Sequence, residues 1–248
     1  MPPDFAFPSE QRRGVYAAIY QRRDIRHFRP DPVPPPVLAR LLDAAHHAPS
    51  VGFMQPWDFI LIADRGLRAR VHALFLAERA RAAEAFAEPR RSRYLAYKLE
   101  GLLDAPLNVC VTCDVARGGV VLGRRSVPET DVYSTCLAIQ NFWLAARAEG
   151  LGVGWVSILC PAELAHLLAL PPTVVPVAYL CVGYPEAFAE RPLLETTGWR
   201  ERLPLDRLVH YERWGGAPTA EWAAVAAAVR ERARSEPPGE RTSAPPPA

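Results

Sequence analysis

Three guanidiniums and one carboxylate fall within the five residues Arg22-Arg23-Asp24-Ile25-Arg26. Downstream, Ala48-Pro49-Ser50-Val51-Gly52-Phe53-Met54-Gln55-Pro56-Trp57 brings a hydroxyl, a glycine backbone and an amide into one tight loop. Guanidiniums offer permanent charge and forked donors, and a charge-assisted hydrogen bond contributes about 1.5–3 kcal/mol net. Two or three together are enough to anchor the tail of a phosphate-bearing flat cofactor. A solvated basic helix end has the same composition, and the spacing alone leaves both readings open.

Other chemistries lack their residues. Gly150-Leu151-Gly152-Val153-Gly154 carries Trp155 where a dinucleotide fingerprint needs its last glycine, and it follows a helical pattern, not a strand. No Walker sequence is present. Cys110 and Cys113 sit on a strand-like run, where a spacing of three sends side chains to opposite faces. His46 and His47 are adjacent on a helix and diverge instead of converging on one ion. No metal site is therefore expected. Ser157 lacks the Gly-x-Ser-x-Gly setting of an esterase nucleophile.

The elements that must position these residues are legible from periodicity. Residues 11–21 place Val15, Ala18 and Ile19 on one helical face, and residues 37–46 repeat the pattern with Leu38, Leu41, Leu42 and Ala45. The prolines over 30–36 separate the two. Strand-like runs cover 59–62, 107–112, 153–158 and 177–182, and residues 130–149 form a long helix apolar nearly all round, with Val132, Cys136, Ile139 and Trp143 on one side and Tyr133, Leu137 and Leu144 on another. That pattern fits a central core helix or a dimer seam. Four or five strands interleaved with helices make an α/β or α+β protein.

The chain has 248 residues, half of them hydrophobic, which is enough to bury a sizeable core. A net charge of +2 offers no broad field for nucleic acid or an anionic membrane. The first ten residues read as an extension without the basic start or apolar run of a leader, and no stretch of about 18 apolar residues occurs, so a cytoplasmic protein is expected. Five cysteines, an odd number inside apolar runs, suit reduced thiols. A folded body over residues 11–214 and an Ala/Arg/Pro-rich tail over 215–248 are expected, the tail helical near 221–233 and its last dozen residues disordered.

Over about residues 15–214 the chain resembles the FMN-dependent nitroreductase superfamily, whose members open with an arginine-rich turn that holds the flavin phosphate and follow it with a loop that approaches the flavin ring. Arg22, Arg23, Arg26, Ser50, Gln55 and Trp57 match those positions. More narrowly it is similar to the BluB family, the oxygen-dependent branch that makes 5,6-dimethylbenzimidazole, the lower-ligand base of cobalamin. The likeness extends through Lys98-Leu99-Glu100-Gly101-Leu102-Leu103-Asp104-Ala105-Pro106, Pro128-Glu129-Thr130-Asp131-Val132-Tyr133-Ser134-Thr135-Cys136 and Gly152-Val153-Gly154-Trp155-Val156-Ser157-Ile158.

The resemblance implies an α+β fold: a central mixed sheet of four to five strands flanked by helices, with a long central helix. It implies that reduced FMN and dioxygen enter, that the ring is dismantled, and that 5,6-dimethylbenzimidazole and erythrose 4-phosphate leave, without a metal. It makes Asp24 a flavin contact and proton acceptor and Ser157 a hydroxyl that steers the reaction, and adds Lys98, Gly154, Trp155 and Arg200 as flavin contacts, the glycine by letting backbone approach the ring. Residues 67–93 are expected to form a mobile helical lid that leaves little room for a nicotinamide, so that a separate flavin reductase would supply electrons. It also implies a homodimer sharing the cleft. An NAD(P)H-dependent nitroreductase or flavin reductase, a corrinoid reductase and a non-catalytic flavin-binding protein are the alternatives.

Overall fold

The computed structural model describes residues 5–235. They fall into two compact units, one formed by residues 22–188 and one by residues 5–21 with 189–235.

The larger unit is built on a four-stranded sheet: β1 (Trp57–Ile62), β2 (Leu107–Asp114), β3 (Gly152–Val156) and β4 (Val174–Gly183), in spatial order β1-β2-β4-β3. Every pair among these strands is antiparallel. The expected mixed sheet therefore reduces to one isolated parallel bridge, Asp24 with Val153, where the arginine turn runs beside β3. The reason is topological: β2 and β4 return on their neighbours in the reverse sense, so only the segment entering from the N-terminal side adds a parallel partner.

Helices cover both faces. On one, α2 (Pro35–His46) and α5 (Thr130–Ala148) pack Leu41, Ala45, Ala138, Ile139 and Phe142 against Val109, Val111, Leu180 and Val182. On the other, α3 (Arg65–Ala83) and α6 (Pro161–Leu167) pack Val71, Phe75 and Leu164 against Cys110, Tyr179 and Cys181. The alternation 109/110/111 and 179/180/181 is the two-residue strand period meeting a helix layer on each side, which is why β2 reads as an unbroken apolar run. Cys110 and Cys113 do face opposite ways: Cys110 joins the α3 side, and the Cys113 thiol hydrogen-bonds Thr135 of α5.

α5 differs in detail from its sequence pattern. Its buried stripe is Asp131, Ser134, Thr135, Ala138, Ile139, Phe142, Trp143 and Ala146, while Tyr133 and Leu137 remain exposed. The polar residues at its start are thus core-facing, and they prove central to the site.

The expected lid over residues 67–93 becomes α3 and the start of α4 (Arg90–Ala96). α3 packs on the sheet through Val71 and Phe75, which are fully buried, each contributing roughly 1.5–3 kcal/mol. Arg79 ties α3 to the end of α4 by donating to the carbonyls of Leu95 (2.5 Å) and Tyr97 (2.8 Å).

The smaller unit holds α1 (Ser9–Gln21), α7 (Leu193–Thr196), a 3-10 turn at Leu205–Arg207 and α8 (Ala223–Ser235), which packs on that turn. Trp222 donates its indole N–H to Glu212 (2.5 Å). α8 realises the helix expected near 221–233; the last dozen residues lie outside the described ones. No described helix is long and apolar enough to cross a membrane.

Candidate functional site

The segment after Gln21 runs along the free edge of β3. Ile25 N–H donates to the Val153 carbonyl (3.0 Å), and Arg29 N–H donates to Tyr184 O (2.9 Å) where the segment passes the end of β4. This backbone pairing fixes the direction of each side chain in the turn.

Asp24 is the best-fixed of them. Arg26 grips its carboxylate with both terminal nitrogens, Nη1 to Oδ1 at 2.6 Å and Nη2 to Oδ2, and the Trp155 N–H donates to Oδ1 at 2.9 Å. A carboxylate has about four acceptor sites, so Oδ2 keeps one. The Asp24 side chain is 43% exposed and Arg26 only 13%. Arg26 is seated further by contacts from Nη1 to Ile25 O (3.3 Å) and from Nη2 to Trp155 O (3.4 Å).

Arg26 thus directs both terminal nitrogens of its guanidinium to Asp24. A Cβ on Gly154 would stand 2.1 Å from Ile25 O and 2.7 Å from Arg26 Nη1, so the absence of a side chain lets the turn pack directly on β3.

Arg22 lies over the Trp143 ring at 5.0 Å, a contact that leaves its charge uncompensated. Among the described residues no carboxylate is within ion-pairing distance of it. Arg23 donates to Arg22 O at 2.7 Å. Ser157 is exposed just beyond β3, two positions past the Trp155 N–H that holds Asp24, so about 7 Å of strand separates them. Ser157, Trp155, Leu159, Leu164 and Pro176 line a cavity of roughly 200 Å³ beneath. Behind the fork, Cys181 pairs in register with Gly154; burial pushes its thiol up to about 12, against smaller opposing effects of a Gly101 backbone hydrogen bond, Arg26 and Asn108. It is an inert packing group.

The Ser50–Trp57 loop is assembled differently. Ser50 Oγ accepts from Gln55 N–H (3.0 Å), and Val51 N–H donates to Ser134 Oγ on α5 (3.0 Å). Gly52, Phe53 and Gln55 have φ of 51°, 55° and 50°. For the two non-glycine residues this left-handed backbone costs about 1–3 kcal/mol each and needs outside support. Trp57, expected as a flavin contact, is only 4% exposed and joins the α2/α5 core, its Nε1 donating to His46 Nδ1 at 3.2 Å. Its size and apolar rings make it an anchor for the loop's end.

Lys98 is paired with Asp104, but its stretch abuts the turn: a Cβ on Gly101 would meet the Phe28 ring at 2.6 Å and Arg26 O at 3.1 Å. Arg200 belongs to the smaller unit, exposed just after α7, with its N–H donating to Leu194 O (3.1 Å).

The structure also brings in residues that the sequence reading passed over. Arg117 Nη1 donates to the carbonyls of Gln55 (2.7 Å) and Trp57 (3.0 Å), and Nη2 to Asp58 (2.6 Å). Arg124 donates to Arg117 O (2.7 Å) and pairs with the buried Asp131. The Gly-rich stretch around them has no periodicity to flag it.

The two motifs do not meet within one chain. The turn pairs with Val153, level with Val182 and Leu107; Trp57 is level with Cys113 and Val175 on the far strand. Four strand spacings, from the turn across β3, β4 and β2 to β1, and six residues along β2 put them at diagonally opposite corners, roughly 28 Å apart.

Such a sheet, covered by helices on both faces and carrying a cation-and-carboxylate turn on its β3 edge, defines an α+β class of protein. Residues 19–184 match the nitroreductase family. The chain is 45% identical over 199 residues, 80% of this chain and 94% of the other, to the 5,6-dimethylbenzimidazole synthase of Rhodospirillum rubrum. Its fold matches a crystal structure of a BluB-like flavoprotein from Clostridium difficile 630 (TM-score 0.61, 18% identity, covering 80% of this chain and 99% of that one). It also matches oxidised iodotyrosine deiodinase bound to FMN and 3-iodo-L-tyrosine (TM-score 0.61, 22% identity, 71% and 91%). The chain belongs to the nitroreductase family and, within it, to the branch of the 5,6-dimethylbenzimidazole synthases.

Proposed function

We propose that this chain converts reduced FMN and dioxygen to 5,6-dimethylbenzimidazole and erythrose 4-phosphate. The observation that carries the reading is the Asp24 carboxylate held by Arg26 and the Trp155 N–H, one strand-end away from the exposed Ser157 hydroxyl, in a chain so similar to a known synthase.

The residues present fit FMN. Arg22 supplies a cation with no carboxylate at ion-pairing distance among the described residues, suited to the phosphate, with Arg23 beside it. Asp24 retains an acceptor site on Oδ2, on its exposed side, which suits it to receive a proton from the ring or ribityl chain. Ser157 has a hydroxyl placed to donate to an oxygen or nitrogen of the same ligand. When bound, reduced flavin supplies the electrons that activate dioxygen, and no metal is required.

The diagonal separation of the two motifs supports a homodimer in which Ser50 and Gln55 of one copy approach the flavin held by the other's arginine turn. Lys98 and Arg200 are proposed as peripheral contacts. Electrons come from a separate flavin reductase, and the reaction takes place in the cytoplasm.

The test is to load the protein anaerobically with reduced FMN, admit air, and follow products by chromatography with mass detection. 5,6-Dimethylbenzimidazole in stoichiometric amount is expected. Rapid NADPH oxidation with a nitroaromatic and no benzimidazole would select an ordinary nitroreductase instead. Light scattering with a mass of two chains checks the dimer.

A further inference from the structure

The Ser50–Trp57 loop follows a backbone course that its own residues disfavour. Gly52 accepts a φ of 51° without penalty, but Phe53 at 55° and Gln55 at 50° do not, and Phe53 is 82% exposed, so its packing does not hold it there. Something outside the loop must.

The geometry points to Arg117 as the residue that positions this loop and so presents the Gln55 side chain to the flavin, an inference that rests on the function proposed above. One guanidinium meets three oxygens on the loop's exit: the Gln55 carbonyl at 2.7 Å, the Trp57 carbonyl at 3.0 Å and the Asp58 carboxylate at 2.6 Å. Bonding the carbonyls on both sides of Pro56 fixes the orientation of Gln55 directly. A lysine ammonium can donate to the two carbonyls that Nη1 serves, but it has no second nitrogen to hold Asp58 at the same time.

The clamp has its own foundation. Arg124 donates to Arg117 O (2.7 Å) and Gly119 O (2.7 Å) and pairs with Asp131, which is 2% exposed in the first turn of α5. One turn further along, Ser134 takes the Val51 N–H at the loop's entrance. The start of α5 therefore holds the loop at both ends: through Ser134 directly, and through Asp131, Arg124 and Arg117 in series. Arg117 touches no ligand in this account; its effect passes through Gln55.

The experiment compares the full chain with Arg117→Ala, Arg117→Lys and Arg117→Ala combined with Phe53→Gly. Each is titrated with FMN by fluorescence quenching, the absorption spectrum of bound FMN is recorded, and product formation is measured at saturating reduced FMN. Arg117→Ala is expected to lose about 10- to 100-fold in turnover through misplacement of the loop, with an altered bound-flavin spectrum and a smaller change in affinity. Arg117→Lys should recover part of the turnover. Phe53→Gly relieves one left-handed residue, so the combined variant should recover part as well. The positioning role is overturned if Arg117→Ala keeps wild-type turnover and spectrum, or if it loses turnover and neither the lysine nor the glycine restores any. Should Arg117→Ala not fold, the lysine variant decides alone: wild-type turnover and spectrum in a folded Arg117→Lys would overturn the role, and reduced turnover with an altered spectrum would support it. If the wild-type chain itself makes no benzimidazole, the underlying function fails and not this inference alone.

Discussion

Replacing Gly154 by alanine tests the architecture of the arginine turn. The new methyl would sit 2.1 Å from Ile25 O, whereas ordinary contact begins near 3.4 Å, and 2.7 Å from Arg26 Nη1. The guanidinium can swing away, but the carbonyl cannot retreat by more than an ångström while Ile25 N–H stays bonded to Val153 O. Forcing the turn off β3 costs about 1–3 kcal/mol in overpacking. It also weakens the bond from Trp155 N–H to Asp24, worth roughly 1 kcal/mol for a carboxylate this exposed. The sum is about 3 kcal/mol, and at roughly 2–4 °C per kcal/mol for a domain of this size the melting temperature falls by about 6–12 °C. Calorimetry of the purified variant, with flavin affinity measured alongside, checks it. A melting temperature within 2 °C of wild type, with FMN affinity unchanged, would show that the turn is not pressed against β3 as described.

Asp24→Asn keeps size and loses charge; FMN binding is expected to persist while product formation falls by about 100-fold or more, and an unchanged product yield by mass detection would remove Asp24 from the chemistry. Gly14→Ala, in α1 with nothing within 4 Å of the added methyl, should go the other way from Gly154→Ala and stabilise the helix by about 0.8–1 kcal/mol, seen as slower amide exchange there. Burial pushes the Cys110 and Cys181 thiols from 9.0 up to about 12. The unfolded chain then releases these protons first, so stability is intact below pH 9 and declines between about pH 9 and 12, by up to ~1.4 kcal/mol per pH unit for each thiol. Denaturant melts across that range should show the slope, and Cys110→Ala with Cys181→Ala should flatten it; an equally steep slope in the double variant would refute the assignment.

Much of the fold was readable because period and burial coincide. Leu38, Leu41, Leu42 and Ala45 mark α2, and β2 reads as a run because it is covered on both faces. The sense of the strand pairing was not readable, since antiparallel and parallel neighbours share the same apolar pattern. Over residues 67–93 the Ala/Arg/Glu-rich composition hides the few positions, Val71 and Phe75, that pack α3 into the core. Within the site, Asp24 and Ser157 were singled out by the resemblance to the family, and what surrounds them depends on distances that the sequence does not carry. The fork of Arg26 on Asp24 and the burial of Trp57 are set by tertiary contacts that no spacing in the sequence reveals. Arg117 and Arg124 carry no local signal, because each acts on backbone oxygens about 60 residues or 7 residues away.

α5 carries both halves of the candidate site on a single rod. Ser134 receives the loop near its start and Trp143 receives Arg22 farther on, about 14 Å along the axis. Inserting or deleting one residue between them would swing one docking point about 100° around the cylinder relative to the other. Natural relatives should therefore tolerate length changes in the glycine-rich stretch before α5 far more readily than within these nine residues, which set the gauge of the whole assembly.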